Sequence, residues 1–69
     1  MLALYFNKPY NIPSNTRHIA TDEGGNVYAF TNDKPEFNNK AGTWCVYTQS
    51  YELIGCDPSI NPETSLVTI

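Results

Sequence analysis

The sequence predicts an all-β protein, a small antiparallel meander of four to five short strands built on two hairpins. Short runs of β-branched and aromatic residues alternate with segments rich in Gly, Pro and Asn, which is typical of strands joined by turns. The pair Gly24-Gly25 lies between two such runs, and no stretch has the apolar spacing of an amphipathic helix. The 69 residues predict one domain, residues 1–69, with a thin core.

Residues 2–6 predict a first strand that no polar residue interrupts, so that both of its faces can be covered. Alternation places three apolar side chains on one of these faces: Leu2, Leu4 and Phe6. Residues 7–15 predict a loop, because two prolines remove backbone donors and restrict the residues before them. We expect Tyr10 to pin this loop to the sheet or to contact a partner.

The central hairpin has predicted arms at residues 17–22 and 27–31. Glycine tolerates the positive φ that both central positions of a type I′ turn require, which favours a two-residue loop. This register places Ile19 opposite Phe30, so that the larger apolar side chains share one face. A three-residue loop would separate that pair.

A second hairpin is predicted from residues 43–48 and 51–55, with its turn at Gln49-Ser50. We expect Trp44 to be the largest single contributor to the core. Residues 65–69 have strand character, and this tail either pairs with an edge strand or remains free to meet another copy or another protein.

Residues 32–42 form a predicted connection, in which one proline and three asparagines oppose a continued strand. Phe37 is the one large apolar residue in this stretch. It is either an anchor tucked under the loop or an exposed contact for a partner.

Charge and hydropathy exclude several classes of partner. The formal net charge is −3, and the four basic residues, Lys8, Arg17, Lys34 and Lys40, do not cluster, so we expect no nucleic-acid binding. Residues 1–6 are apolar but far too short to span a bilayer, and no cleavage site follows them. We therefore expect a soluble protein without membrane contact.

No constellation of residues predicts an enzyme or a cofactor site. His18 is the only histidine, and Asp22 lies too far along the strand to orient it, so a surface or edge histidine is expected. His18, Cys45 and Cys56 are too few and too scattered for a structural zinc site. Reduced, packed cysteines are expected in a cytosolic setting, and a disulfide between them requires the predicted turn to move by one residue.

The nine aromatic residues exceed what one side of so small a sheet can bury, so we expect some of them to be exposed. Tyrosine is enriched at protein interfaces. The candidate partner contacts are Tyr10, Glu36, Phe37, Tyr47 and Tyr51. Edge strands and excess aromatic surface also predict a homo-oligomer.

Residues 19–30 read IATDEGGNVYAF, and they are followed by Lys34-Pro35-Glu36, by Gly42-Thr43-Trp44 and by a closing Ile54-Gly55. This order resembles a type of small uncharacterised bacteriophage protein with an "IATD-turn-VYAF" hairpin, a "KPE" loop and a "GxW" strand. The resemblance covers roughly residues 12–55 and implies a phage origin. The N-terminal Pro-rich loop and the tail depart from the pattern.

For a tiny acidic protein, phage origin implies action by binding. The expected function is inhibition or sequestration of a host enzyme or antiviral defence component by protein contact in the host cytoplasm, without catalysis or cofactor. One alternative is an oligomeric sponge for a nucleotide-like signal, although basic residues are few. Another is a structural component of the virion or of its assembly.

Overall fold

The computed structural model describes residues 1–48 and 50–69, and within them eight short strands form three antiparallel sheets. The strands are β1 (Leu2–Tyr5), β2 (Lys8–Asn11), β3 (His18–Thr21), β4 (Asn26–Phe30), β5 (Glu36–Asn38), β6 (Thr43–Cys45), β7 (Tyr51–Cys56) and β8 (Val67–Thr68). The largest sheet has the order β7-β4-β3-β8, while β1 pairs with β2 and β5 pairs with β6. Helical structure in this part of the chain is limited to a 3₁₀ turn at Pro62–Thr64. The all-β antiparallel prediction is confirmed, although the strands outnumber the four to five expected.

The central hairpin forms where predicted, but its loop has three residues instead of two. Gly25 donates its N–H to the Asp22 carbonyl at 3.0 Å and has φ +84°. This is a type I turn followed by a left-handed glycine, the usual three-residue hairpin loop. The Asp22 carboxylate holds the loop open by accepting the Asn26 N–H at 2.9 Å. The predicted two-residue loop is therefore wrong.

The longer loop changes which residues share a face. Ile19 lies opposite Ala29 instead of Phe30, and Thr21 lies opposite Val27. The face that carries these four side chains is buried in the core, and the opposite face carries Tyr28 and Phe30. The shift by one residue thus leaves the larger rings of β4 on the side away from this core.

The N-terminal hairpin covers the core face of the large sheet. Residues 7–15 were expected to form a loop, yet β2 forms there because Phe6 and Asn7 adopt left-handed φ angles of +49° and +63°, as a tight hairpin turn requires. Pro9 lies opposite Leu4, where its missing N–H removes no ladder bond. The core cluster consists of Tyr5, Tyr10, Ile12, Ile19, Val27, Ala29 and Ile60.

A buried network of hydrogen bonds ties this hairpin to the sheet and to the C-terminal segment. The Tyr5 hydroxyl donates to the Ser65 carbonyl at 2.8 Å and lies 2.8 Å from the Thr21 hydroxyl. The Ser65 hydroxyl in turn accepts the Thr21 N–H at 2.9 Å. Burial raises the pKa of Tyr5, so its hydroxyl remains a donor at neutral pH. Beyond this network, β8 pairs with β3, and the tail therefore pairs within its own chain.

The predicted second hairpin is wrong in its pairing. β6 pairs with β5, and β7 pairs with β4 along the edge of the large sheet; Gln49, in the predicted turn, lies outside the described residues. The indole N–H of Trp44 donates to the Thr21 carbonyl at 2.9 Å and thereby holds the β5–β6 hairpin over the sheet. The Trp44 indole is only half-buried, whereas Tyr5 has the largest fully buried side chain. The prediction that Trp44 contributes most to the core is therefore wrong.

Candidate functional site

The face of the large sheet opposite the core carries a cleft with aromatic walls. Tyr28 and Tyr51 meet edge to face with ring centroids 5.6 Å apart, and Phe30 lies 6.0 Å from Tyr51. The volume of the cleft is about 360 Å³. We call it the aromatic cleft; its lining residues are Asp22, Tyr28, Phe30, Thr43, Trp44, Cys45, Val46 and Tyr51.

Local structure explains why these rings converge. Alternation along β4 places Tyr28 and Phe30 on one face, and the pairing of β4 with β7 brings Tyr51 opposite Phe30. The β5–β6 hairpin covers the cleft. It is held in place by the hydrogen bond of the Trp44 indole and by a second hydrogen bond of 2.9 Å, which the Glu23 N–H donates to the Gly42 carbonyl. Two sheets that have no strand in common therefore form the cleft.

A second, outer cleft adjoins the first. It has a volume of about 250 Å³ and is lined by Lys34, Glu36, Cys45, Val46 and Tyr47. Cys45 and Val46 line both clefts, so the two clefts adjoin at these residues. Tyr47 lies at the outer cleft, and 100% of its area is exposed.

The five predicted contact residues fall into three groups. Glu36 and Tyr47 line the outer cleft and Tyr51 lines the aromatic cleft, so the fold places these three residues at two adjoining clefts. Phe37 is half-buried, with its ring centroid 5.3 Å from that of Trp44, which matches the anchor alternative. The prediction that Tyr10 contacts a partner is wrong: Tyr10 is only 8% exposed and packs in the core, because the segment around it is a strand and not a loop.

Two lining residues of the aromatic cleft, Tyr28 and Phe30, are not among the contacts that the sequence predicts. Tyr28 and Phe30 were expected to share their face with Ile19 and Thr21 under a two-residue loop. The signal that could have corrected this is Asp22, whose carboxylate is placed to accept the Asn26 N–H across a three-residue loop.

The clefts combine aromatic walls with few charges. Burial raises the pKa of the Tyr28 hydroxyl, and the Asp22 carboxylate raises it further, so the phenol stays protonated and can donate a hydrogen bond. Lys34 and Glu36 bring one charge of each sign to the outer cleft. Across residues 1–48 and 50–69, no group of three or more His, Cys, Asp and Glu side chains is arranged to hold a metal ion. Within the same residues Cys45 and Cys56 are not disulfide-bonded, but both are exposed, so the expectation that they are packed is wrong.

His18 is not the surface or edge residue that the sequence predicts, because β3 lies between β4 and β8 in the sheet. It is buried beside β8, the neighbouring strand of the sheet, where its Nδ1 lies 2.9 Å from the Thr68 hydroxyl. Burial lowers the pKa of the imidazole below its usual 6.5, and the charges of Lys34 and Arg17 lower it further. His18 is shielded from solvent because β3 pairs with β8 at this residue.

Acidification from pH 7.5 to pH 5.0 is expected to lower the free energy of unfolding. His18 takes up a proton near 6.5 when unfolded but at a lower pH when folded, so the unfolded state binds more protons in this window and stability falls as the pH falls. Urea unfolding at both pH values measures the difference. His18→Gln, which retains polar groups near Thr68, should show a smaller difference; an equal one would contradict the assignment to His18.

Among the described residues, no helix has the length and apolar character needed to cross a membrane. No family model matches this chain, and neither the curated proteins nor the solved structures include a match to it.

Proposed function

We propose that this chain is a non-catalytic binding protein that captures a partner protein on the surface formed by its two clefts. A small phage accessory protein that inhibits or sequesters a host enzyme or antiviral defence component in the host cytoplasm fits this description. The resemblance of residues 12–55 to small bacteriophage proteins supports the phage origin, and the exposed aromatic surface supports the mode of action.

The observation that carries the proposal is the exposure of Tyr47 beside a cleft lined by other aromatic rings. A tyrosine whose side chain is fully exposed contributes little to its own fold, yet it offers a large, rigid surface for an interface. The adjacent aromatic cleft can accept an apolar side chain of the partner in return. The clefts carry two carboxylates, Asp22 and Glu36, against one cation, Lys34. Together with the net charge of −3, this excess of negative charge favours a partner with a basic surface.

The test begins with recovery of host proteins on the immobilised chain and continues with the purified partner. Tyr47→Ala and Tyr51→Ala are expected to raise the Kd for that partner at least about tenfold, equivalent to ~1.4 kcal/mol. Glu36→Lys is expected to slow association, with an effect that weakens at high salt. Calorimetry and surface plasmon resonance measure the two effects.

Ile69→Ala is the matched control, since Ile69 is 59% exposed and lines neither cleft. It should leave the Kd within about twofold of the wild-type value. If both tyrosine variants bind as tightly as this control, the clefts are not the interface and the proposal fails.

A second candidate function is capture of a small planar ligand such as a nucleotide. The volume of the aromatic cleft lies within the range of small-molecule sites, and Lys34 in the outer cleft could meet a phosphate. Asp22 on the wall of the cleft opposes an anion. Melting curves with and without millimolar nucleotides distinguish the two functions, because a ligand that binds the folded state raises Tm and a protein-binding surface alone predicts no shift.

A further inference from the structure

The outer edge of the N-terminal hairpin is an open, uncharged strand. β1 pairs with β2 on one side only, and its sequence LALY contains no charge and no proline. Other edges are protected: β7 carries Glu52 and a register irregularity against β4, β2 carries Lys8 and Pro9, and β8 has two residues. Charges, prolines, bulges and short strands are the usual means of preventing edge pairing, and β1 has none of the first three.

The backbone of this edge is oriented to accept another strand. Met1 and Ile12 exchange main-chain hydrogen bonds of 2.7 and 3.0 Å, so the odd-numbered residues of β1 form the bonded pairs with β2. The N–H and C=O groups of Leu2 and Leu4 therefore point away from β2. No strand within the described residues pairs with this side of β1.

The side chains of the same two residues are also uncovered. Leu2 is 74% exposed and Leu4 is 76% exposed, although the adjacent Tyr5 is buried. We infer that β1 pairs antiparallel with β1 of a second copy of this chain, so that the two hairpins form one four-stranded sheet. This inference does not rest on the proposed function, because no residue of β1 lines either cleft.

A second copy fits because the edge is complementary to itself. If Leu2 lies opposite Leu4 of the second copy, two-fold symmetry repeats the pair, and four main-chain hydrogen bonds form around a central pair of Ala3 residues. Pairing Leu2 with Leu2, or Leu4 with Leu4, provides two such bonds at the centre and shifts the remaining residues out of register. The chosen register also gathers the four leucines on the uncovered face.

The size of this contact predicts a weak dimer. Four partly exposed leucines and four strand hydrogen bonds amount to much less than the roughly 1,600 Å² of a standard interface. We therefore expect a monomer–dimer equilibrium with a Kd on the order of tens of micromolar. Sedimentation velocity over a concentration series should show the mass rise toward two chains.

Leu4→Lys is expected to raise the dimer Kd at least about tenfold, because it places a charge on the leucine face. Leu53→Lys is the matched control, since Leu53 is 57% exposed but lies on β7, and it should leave the Kd within about twofold. Circular dichroism verifies folding, and Leu2→Lys replaces Leu4→Lys if that variant unfolds. A wild-type chain that stays monomeric up to about 1 mM, or equal effects of the β1 and β7 variants, overturns the inference.

The register is tested with Ala3→Cys in a Cys45→Ser, Cys56→Ser background. Opposed residues at a non-bonded antiparallel pair lie within the range that a disulfide spans, so dissolved oxygen with copper should oxidise the two thiols to a covalent dimer. Leu53→Cys in the same background should remain monomeric on a non-reducing gel. Failure of Ala3→Cys to cross-link, in a sample that sediments as a dimer, overturns the pairing through β1.

Discussion

Gly25→Ala is expected to lower the free energy of unfolding by about 2–4 kcal/mol. About 1–2 kcal/mol of this comes from placing a Cβ on a residue with φ +84°. The remainder comes from a steric clash, because the new Cβ would lie 2.9 Å from the Cα of Pro58, a backbone atom that cannot rotate away. Since a domain of this size has only a few kcal/mol of stability, the fall in Tm should exceed about 8 °C.

Gly24→Ala is the control for this prediction. Gly24 lies in the same loop, but its φ is outside the left-handed region and the nearest atoms to a new Cβ are 3.3 and 3.4 Å away in side chains. Its effect should stay within about 0.5 kcal/mol. Urea unfolding of the two variants measures the difference, and equal losses would contradict the three-residue loop with its left-handed glycine.

Tyr5→Phe is expected to lower the free energy of unfolding by about 1–3 kcal/mol, although the ring remains in the core. The variant loses the hydroxyl that donates to the Ser65 carbonyl and lies 2.8 Å from the Thr21 hydroxyl. Both partners are buried, so no solvent replaces the lost bonds. Chemical unfolding measures the change as a shift in the denaturant midpoint at constant slope.

Tyr10→Phe provides the comparison. Tyr10 belongs to the same core cluster, but its hydroxyl takes part in none of the side-chain hydrogen bonds of the described residues and, because no buried polar side-chain atom among them lacks a partner, it reaches solvent. Removal of that hydroxyl should change the free energy of unfolding by less than about 0.5 kcal/mol. If Tyr10→Phe costs as much as Tyr5→Phe, the stability does not come from the network that joins β1, β3 and the segment before β8.

Local sequence signals predict the strand segments but not which strands pair with each other. The segments that became β3, β4 and β7 were found from their β-branched and aromatic residues. The sequence predicts that β6 pairs with β7, because the two segments are neighbours in the chain. β5, with the sequence EFN, carries too little strand propensity to be recognised, and the indole of Trp44 attaches its hairpin with β6 to the large sheet by donating to the Thr21 carbonyl, 23 residues away in the chain.

The sequence predicts some of the residues of the candidate site but not others. The sequence predicts Tyr47 and Tyr51 as contacts because the chain has more aromatic residues than one face of a small sheet can bury. The same argument predicts Tyr10, which lies in the core, because its exposure depends on the turn at Phe6 and Asn7. Composition predicts that some rings are exposed, but the register of each hairpin decides which ones.

The sequence by itself determined the all-β class, the position of the central hairpin and most strand segments, because strand and turn propensities act over a few neighbouring residues. The tertiary structure decided the loop length at Gly24-Gly25, the partners of β6 and β7, and the convergence of rings in the aromatic cleft. These features depend on which face of each strand finds apolar partners far along the chain. A shift of one residue exchanges those faces without changing local propensity.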